Sequence, residues 1–507
     1  MKKEMIDMYG KAVEFPASGK WLNVDKPMTL ESLKGQVVLL DFWTYCCINC
    51  IHVLEELKWL EKKFAESPFI VIGVHTPKFE NERLEENIEA AIKRYEISHP
   101  VFVDNDYYLW DRYLIRAWPS FVLLSPDGRI LSKTSGEGRR EYLSLEVSKA
   151  LEEGRKRGTL SPEKLKVETS LKRDPKVLFF PGKIAFDESD RLFISDSNNN
   201  RILVTHLENP FRARVVDTIG SGSAGMLDGE FDRASLKKPQ GMAFVDNDLY
   251  IADTGNHSIR KANLSNRKLS TVSGDGLQGY NWKYSGPANK ARLNSPWDLF
   301  YNDKNIYVAM AGTHQIWKLN LENATIEAFA GSGVEDLIDG PVGDSGFAQP
   351  SGLFVENGRV YVADSEVSAI RFIDLQKNTV HTVAGNGLFS FGHVDGLLNY
   401  ALLQHPIGIG GDGEYLYVAD TYNHAIRKID LRVRRIETLI STSNDGVCSI
   451  GETNCDFLGL FEPNDVKLRK GLLYIADTNN HIIRVFDQSK KLLHDLEVVY
   501  NENILSN

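Results

Sequence analysis

Residues 251–259 read Ile-Ala-Asp-Thr-Gly-Asn-His-Ser-Ile, and this stretch decides the fold of most of the chain because it recurs. From residue 180 onwards the pattern appears six times, with its third position 54 to 57 residues apart from copy to copy. That position is occupied by Asp196, Asp253, Met310, Asp364, Asp420 and Asp477. A fixed period of this length indicates a repeat architecture in which each copy is one supersecondary unit.

Each copy predicts four short strands that are separated by Asp, Asn and Gly turns. In the second copy the strands are predicted at residues 241–245, 248–252, 258–262 and 268–272. A four-stranded unit cannot bury both faces alone, whereas six units stacked around an axis can. The copies resemble NHL repeats, whose signature is Asp-Thr/Ser-x-Asn-His-x-Ile-Arg. This resemblance implies an all-β six-bladed NHL-type β-propeller, which we expect over residues 177–507.

Two copies depart from the signature, since Met310 replaces the aspartate and Ser368 replaces the histidine, so we expect looser turns there. The repeat histidines are predicted to hydrogen-bond within their own turns, with a ring of metal ligands as the alternative; they are His257, His314, His424 and His481. Residues 220–225 fit the dinucleotide-binding pattern G-x-G-x-x-G. They follow an outer strand and have counterparts in later copies, so we interpret them as a repeat turn.

Residues 1–151 show a different pattern, in which predicted strands alternate with predicted helices. The strands are expected at residues 36–43, 69–74, 100–103, 120–124 and 129–132, and the helices at 47–64, 84–95 and 141–151. This alternation indicates an α/β sandwich. Residues 152–176 are charged, contain Pro162 and Pro175 and are predicted to be a linker.

The stretch that carries chemistry is Asp41-Phe-Trp-Thr-Tyr-Cys-Cys-Ile-Asn-Cys50. It places Cys47 and Cys50 where a buried strand turns into a helix. Unpaired backbone N–H groups and the helix dipole at such an end stabilise a thiolate at Cys47. Cys50 lies one turn further on, close enough to form an intramolecular disulfide, so the pair is predicted to be a two-electron redox couple.

The same stretch resembles the thioredoxin family, in which Asp-Phe-Trp ends a strand before Cys-x-x-Cys. The resemblance implies a thioredoxin-like α/β sandwich in which Cys47 attacks, Cys50 resolves and Asp41 moves a proton to or from Cys50. It also implies that Trp43 packs beside the site, where we expect it to bind the substrate together with Trp118 and Pro119. By the same resemblance, Trp118-Pro119 matches the family's cis-proline, which offers backbone to the bound substrate.

The motif also departs from ordinary thioredoxins. The dipeptide between the cysteines is Ile48-Asn49 rather than Gly-Pro, and Cys46 stands where thioredoxins usually have Trp. The resulting Cys-Cys-Ile-Asn-Cys motif resembles the combined family of thioredoxin-like proteins bearing NHL repeats, and that resemblance covers nearly the entire chain. Cys46 is either a packing residue or an accessory redox thiol.

The function predicted from these patterns is that of a thiol-disulfide oxidoreductase acting on client proteins that the propeller recognises. The first alternative is a non-catalytic scaffold with a thioredoxin-like docking module. A thiol peroxidase is a second alternative, because Thr44 precedes Cys47 by three residues, although Leu40 stands where that motif has proline. A zinc site with His52 or His75, and a hydrolase or lyase site in the propeller channel, are weaker alternatives.

Composition narrows the partners and the compartment. The net charge is −10 and the propeller region is acidic, which disfavours nucleic acid or an anionic membrane as a partner. The polar N-terminus lacks the apolar segment of a secretory signal, so we expect a cytoplasmic protein. Neither a metal nor a cofactor is expected. Cys448 and Cys455 are either free thiols or a loop-closing dithiol.

Overall fold

The computed structural model describes residues 10–167, 177–442 and 459–500, together with two short strands at Cys448–Ile450 and Thr453–Asn454. The chain divides into two units, Met1–Asp174 and Pro175–Asn507. The side chains of Cys448 and Cys455 lie outside the described residues, so the prediction for this pair stays a prediction.

The first unit is built on one mixed six-stranded sheet, which confirms the predicted thioredoxin-like α/β class. Its strands are β1 Lys20–Leu22, β2 Val37–Trp43, β3 Phe69–His75, β4 Val101–Val103, β5 Ser120–Leu124 and β6 Ile130–Ser135. Its helices are α1 Ile48–Lys63, α2 Glu85–Tyr95, α3 Tyr108–Arg112 and α4 Arg140–Lys156, with a 3-10 turn at Glu80–Arg83. The strand order is β1-β4-β3-β2-β5-β6. Strands β2, β3 and β4 run parallel, and the other neighbours are antiparallel.

The structure adds elements that the sequence pattern does not predict. Strand β1 and helix α3 are too short to show a clear periodicity. Helix α4 continues to Lys156, five residues into the predicted linker. Beyond it, the Gln36 side chain donates a hydrogen bond to the carbonyl of Glu163 over 3.0 Å, and Leu165 and Val167 pack against the core. These contacts hold the first part of the predicted linker on the first unit.

Strand β2 lies at the middle of the sheet, where each of its residues is buried. Leu40 and Phe42 belong to the hydrophobic core on one face of the sheet. Successive side chains of a strand point to opposite faces, so Asp41 and Trp43 face the other side. In the parallel register between β2 and β3, Asp41 is the partner of Gly73 and Trp43 is the partner of His75.

The second unit is a six-bladed β-propeller with four main strands in each blade, as predicted. In order from the inner to the outer strand, blade 1 has Pro181–Phe186, Arg191–Asp196, Arg201–Asn209 and Arg212–Ile219; blade 2 has Met242–Val245, Asp248–Asp253, Ser258–Asn263 and Lys268–Ser273; blade 3 has Pro296–Asn302, Asn305–Met310, Gln315–Asn320 and Thr325–Ala330; blade 4 has Pro350–Glu356, Arg359–Asp364, Ala369–Asp374 and Thr379–Ala384; blade 5 has Gly408–Gly411, Tyr415–Asp420, Ala425–Asp430 and Arg435–Thr442; and blade 6 has Pro463–Arg469, Leu472–Asp477, Ile482–Asp487 and Leu492–Asp495.

Connections between blades supply a short fifth strand to the blade into which they lead. These strands pair with the outer strands of blades 2 to 5 and are Gly229–Glu230, Ser285–Pro287, Gly340–Pro341 and Gly396–Leu397. In blade 1 the outer strand instead pairs in parallel with Glu497–Tyr500, from the C-terminal end of the described chain. The propeller is therefore closed by a strand that joins its last and first blades.

The repeat histidines connect neighbouring blades, which corrects the prediction that each bonds within its own turn. Nδ1 of His257 accepts a hydrogen bond from the backbone N–H of Ser295 in the next blade over 3.0 Å. In the fourth repeat, Oγ of Ser368 accepts the N–H of His405 in the same way. The other histidines that make this contact are His314, His424 and His481. Ser368 keeps the left-handed φ of 48° that these positions share. The other five repeats form a 3-10 turn before this position, whereas residues 365–367 form a plain turn, so the prediction of looser turns stays a prediction.

A buried charge pair recurs in the blades and is replaced as a unit in blade 3. In blade 4 the Arg371 guanidinium donates to the Asp364 carboxylate over 3.1 Å, and both side chains are fully buried. The same two places in blade 3 hold Met310 and Trp317, also buried, and the Trp317 indole donates to Gln315 over 3.1 Å. Because both charges are replaced together, neither is left buried without its partner.

Candidate thiol site

The two cysteines of the motif lie at the start of helix α1 in unequal environments. Cys47 immediately precedes the helix and is half-buried, whereas Cys50 lies in its first turn and is 1% exposed. Both are free thiols. The arrangement offers one accessible sulfur to a reaction partner and keeps the other for an intramolecular step.

The buried cysteine holds its proton firmly. Burial raises the pKa of Cys50 well above its ordinary value, and the hydrogen bond that its thiol donates to the neighbouring Cys47 sulfur raises it further. A hydrogen bond with the backbone of Thr44 acts in the opposite direction but is smaller. Cys50 therefore needs a base before it can act as a nucleophile, since the thiolate is the reactive form.

The candidate for that base is the buried carboxylate of Asp41. Its side chain is 1% exposed, and neither carboxylate oxygen has a hydrogen-bond partner among the residues that the structure describes. Burial raises the pKa of Asp41 to about 7, while the charge of His99 acts to lower it. A carboxyl with such a pKa exchanges protons near neutral pH.

Trp43 lies in the interior of the first unit and not at its surface. It is 1% exposed, and its ring meets the edge of the His75 ring with centroids 5.0 Å apart. Tyr45 stacks on the other side of His75 at 5.6 Å. Burial lowers the pKa of His75 to about 3, so this imidazole is neutral and belongs to an aromatic cluster. The buried indole contributes to the packing of this cluster, and its predicted contact with the substrate stays a prediction.

The Trp118–Pro119 peptide bond is cis. The Pro119 carbonyl accepts a hydrogen bond from the backbone N–H of Gly136 over 2.9 Å. Trp118 is half-buried, with its ring centroid 4.4 Å from that of Trp110. Nearby in the chain, Leu114 is 68% exposed. This segment thus presents apolar side chains beside a held backbone.

Glu82 is a buried residue that the sequence analysis missed. One of its carboxylate oxygens accepts the backbone N–H of Cys46 over 2.9 Å. The other accepts the N–H groups of Lys78 and Phe79 over 2.7 and 3.0 Å. Glu82 therefore ties the segment before Cys47 to the loop after β3. The Thr44 hydroxyl lies 3.9 Å from the sulfur of the buried Cys46.

The histidines considered for zinc have other contacts. Nδ1 of His52 lies 2.6 Å from a carboxylate oxygen of Glu137, and His75 is stacked as described above. Within the described ranges, no group of three or more His, Cys, Asp and Glu side chains could hold a metal ion.

None of the helices in the same ranges is long and apolar enough to cross a membrane.

Charged side chains meet at the axis of the propeller. Nζ of Lys183 in blade 1 donates to the Ile407 carbonyl in blade 5 over 2.7 Å and lies 3.5 Å from a carboxylate oxygen of Asp298 in blade 3. Asp465 in blade 6 lies 3.8 Å away. The remaining equivalent positions hold glycines, which let adjacent inner strands approach closely; they are Gly241, Gly352 and Gly408. The repeat histidines do not belong to this cluster, which gives the hydrolase or lyase alternative no support.

The fold and the thiol motif together define a thioredoxin-like protein that carries an NHL-type propeller. A thioredoxin-like family model matches residues 35–130, and an NHL repeat model matches residues 236–262. The chain is 38% identical to human NHL repeat-containing protein 2 over 530 residues, covering 97% of this chain and 72% of the human protein. The chain belongs to the NHL repeat-containing protein 2 family.

Two further relatives extend the comparison. The chloroplastic protein SUPPRESSOR OF QUENCHING 1 of Arabidopsis thaliana is 41% identical over 498 residues, which cover 94% of this chain but only 46% of the plant protein. The thiol-disulfide oxidoreductase YkuV of Bacillus subtilis is 25% identical over 141 residues, 28% of this chain and 93% of YkuV. The part of this chain that is similar to YkuV is about as long as one thioredoxin-like domain.

Proposed function

We propose that this protein is a cytoplasmic thiol-disulfide oxidoreductase that reduces disulfides on client proteins recognised by the propeller. The observation that carries the proposal is a half-buried Cys47 paired with a buried Cys50, whose thiol is subject to the charge of Asp41, a buried carboxylate with no hydrogen-bond partner among the described residues. The similarity to YkuV, whose name states that activity, supports it.

The first step joins the client to the protein. The Cys47 thiolate attacks one sulfur of a client disulfide, and a new sulfur–sulfur bond forms while the client bond breaks. The released client sulfur leaves as a thiolate and takes a proton from solvent. The Trp118–Pro119 segment and the exposed Leu114 lie in the same unit and are proposed to contact the client beside this bond.

The second step frees the client. Asp41, in its carboxylate form, takes the proton of the Cys50 thiol, and the resulting thiolate attacks the Cys47 sulfur. The mixed disulfide breaks, the second client sulfur leaves as a thiolate, and a Cys47–Cys50 disulfide remains. Two electrons have passed to the client, and an external dithiol reductant returns them to the protein.

The test is a redox titration of the full chain in glutathione buffers, read by alkylation and mass spectrometry. The wild type is expected to exchange two electrons at Cys47 and Cys50 at one defined potential, whereas Cys47→Ser and Cys50→Ser abolish the transition. Cys46→Ser is the matched control, since Cys46 is buried and its backbone is held by Glu82, and it is expected to keep the potential. A changed potential in Cys46→Ser would assign a redox role to the third thiol.

Two other outcomes would replace the proposal. If Cys47 and Cys50 stay reduced and unreactive throughout the titration, the oxidoreductase is wrong and the scaffold becomes the better hypothesis. If hydrogen peroxide oxidises Cys47 faster than any disulfide does, the activity is that of a thiol peroxidase. The Thr44 hydroxyl lies beside Cys46, so no observation favours the peroxidase in advance.

Client recognition is proposed to use one end of the propeller. Antiparallel strands place all connections from an outer strand to the next inner strand at the same end. These connections carry most of the exposed large apolar side chains of the propeller, among them Phe389, Tyr400, Leu227 and Trp282. Exposed apolar side chains of this size that share one end of a fold are typical of protein-binding surfaces.

This part of the proposal is tested with a Cys50→Ser chain, which traps the mixed disulfide with its client. Adding Phe389→Asp and Tyr400→Asp is expected to lower the yield of trapped client several-fold without changing the reaction with a small disulfide. Val433→Asp, an exposed apolar residue between strands at the other end, serves as the control. Equal trapping by all variants would remove the propeller end from the proposal.

A further inference from the structure

His99 lies beside the sheet at the level of Asp41. In the register of β2 and β3, Gly73 is the partner of Asp41. A Cβ atom added to Gly73 would lie 3.5 Å from Nε2 of His99 and 2.9 Å from the Trp43 indole nitrogen. The missing side chain of Gly73 therefore leaves room for the imidazole next to the central strand.

Contacts on the other side of the ring hold the imidazole in place. Nδ1 of His99 lies 3.4 Å from a carboxylate oxygen of Glu61 on helix α1. The Asn23 amide donates hydrogen bonds of 2.9 Å to the carbonyls of Ile97 and His99, which fixes the backbone of this segment. Burial opposes ionisation of Glu61, but the interactions with His99, Ser98 and Lys164 together outweigh it and lower the pKa of Glu61.

The charged environment of Asp41 is otherwise sparse. The titratable and charged groups around the pair are Cys50 and Glu61 from α1, His75 from β3 and Lys164, which acts on Glu61. Of these, His75 is kept neutral by burial. His99 is 4% exposed, and Nε2 has no hydrogen-bond partner among the described residues. It is thus the basic group available to interact with the buried carboxylate.

We propose that His99 is a positioning residue for the thiol chemistry: its imidazolium, held by Glu61, stabilises the charged form of Asp41. The inference rests on the proposed function, because Asp41 must be charged to accept the proton of Cys50. Without the cation, burial alone governs the carboxyl and keeps it protonated to higher pH. His99 itself touches neither the client nor the reacting sulfurs.

The test measures the rate of the second step, in which Cys50 attacks the mixed disulfide at Cys47. Reduced full chain, with Cys46, Cys448 and Cys455 replaced by serine, is mixed with excess 5,5′-dithiobis(2-nitrobenzoate) in a stopped-flow instrument. Attack by Cys47 releases one chromophore, and attack by Cys50 releases the second at a rate independent of reagent concentration. In His99→Gln the pH midpoint of this second phase is expected to rise by about one unit, since a nearby opposite charge shifts a carboxyl by that order. The rate at pH 7 falls accordingly and recovers at pH 9.

Further variants separate an electrostatic role from a structural one. His99→Lys keeps a cation at this position and is expected to restore the wild-type pH midpoint. Glu61→Gln is expected to raise the midpoint, as His99→Gln does. Glu61→Gln therefore provides the test if His99→Gln does not fold. His52→Gln is the matched control: it removes a buried histidine paired with a glutamate in the same unit, and the midpoint should not move. A second phase that slows equally at every pH in His99→Gln overturns the inference. Absence of the second phase in the parent chain overturns the proposed function itself.

Discussion

At the scale of single residues, the buried Asp41 carboxylate that is proposed to activate Cys50 also lowers the stability of the folded protein when it is charged. Asp41 is buried and unpartnered, and its pKa is raised to about 7. In the unfolded chain the same carboxyl titrates near its ordinary value of about 3.9. The folded state therefore binds the proton more tightly, and the stability that this proton provides is fully present below pH 4. It is lost as the pH rises towards and through 7.

Asp41→Asn should remove this loss of stability at higher pH. At pH 8 we expect the variant to be more stable than the wild type by up to about 4 kcal/mol, because about three pK units at about 1.4 kcal/mol each no longer oppose folding. At pH 4 the difference should fall below about 1 kcal/mol. Urea denaturation of the full chain, with the first unit followed by hydrogen exchange in β2 peptides, measures both values. A stability gain that is independent of pH would contradict the assignment.

The residues of the site differ in how readily the sequence predicts them. Local spacing was enough to select the Cys47–Cys50 pair, and the resemblance of the surrounding motif to thioredoxins selected Asp41. His99 and Glu82 reach the site from distant segments, and nothing beside them in the chain marks their role. One signal was available, because Gly73 interrupts a strand of large apolar residues. A glycine there indicates that another group approaches the backbone closely.

At the scale of elements, the blades are joined by buried polar contacts that the turns alone do not explain. The repeat period predicted six four-stranded blades correctly, because apolar alternation and turn residues are local properties. The hydrogen bonds from His257 and Ser368 to neighbouring blades could not be predicted in the same way, since they depend on stacking geometry. The fifth strands were also missed, because two or three residues carry no periodicity.

Blade 3 provides a test of the paired replacement. Met310→Asp is expected to destabilise the propeller by about 3 to 5 kcal/mol, because it buries a carboxylate opposite Trp317 with no cation to pair with it. Combining it with Trp317→Arg should recover part of that loss. Met310→Leu keeps the volume and should cost less than about 1.5 kcal/mol. Denaturation with hydrogen exchange in blade 3 peptides compares the variants, and additive effects of the two substitutions would show that they do not form a pair.

At the scale of the whole molecule, the propeller depends on the strand Glu497–Tyr500 near its C-terminal end. Glu497–Tyr500 occupies in blade 1 the place that connections between blades fill elsewhere. Arg212 and Glu497 form an ion pair at 2.6 Å, and the Arg201 guanidinium donates to the Tyr500 hydroxyl over 2.9 Å. These contacts join the first and last blades, so opening the ring should expose edges on both.

Truncation after Leu496 should therefore lower the midpoint of thermal unfolding, by on the order of 5 °C for a loss of about 2 kcal/mol. Hydrogen exchange should accelerate first in the outer strands of blade 1. Truncation after Tyr500 is the matched control, since it retains the pairing strand, and it should keep the wild-type midpoint. If both truncations behave alike, the strand does not hold the ring closed.

The pairing of connecting strands with the next blade has a consequence for how such a gene can change. Each of blades 1 to 4 gives one strand forward to the next blade, so over this part of the ring the unit that is inherited and the unit that folds are out of phase. An in-frame duplication of one period within blades 1 to 4 would add a complete blade wherever it began, because every strand given would still find a receiver. The two ends of the ring lack this freedom. Recombination should then alter the number of blades most easily in the interior of the gene, and the sequence around Glu497–Tyr500 should resist it.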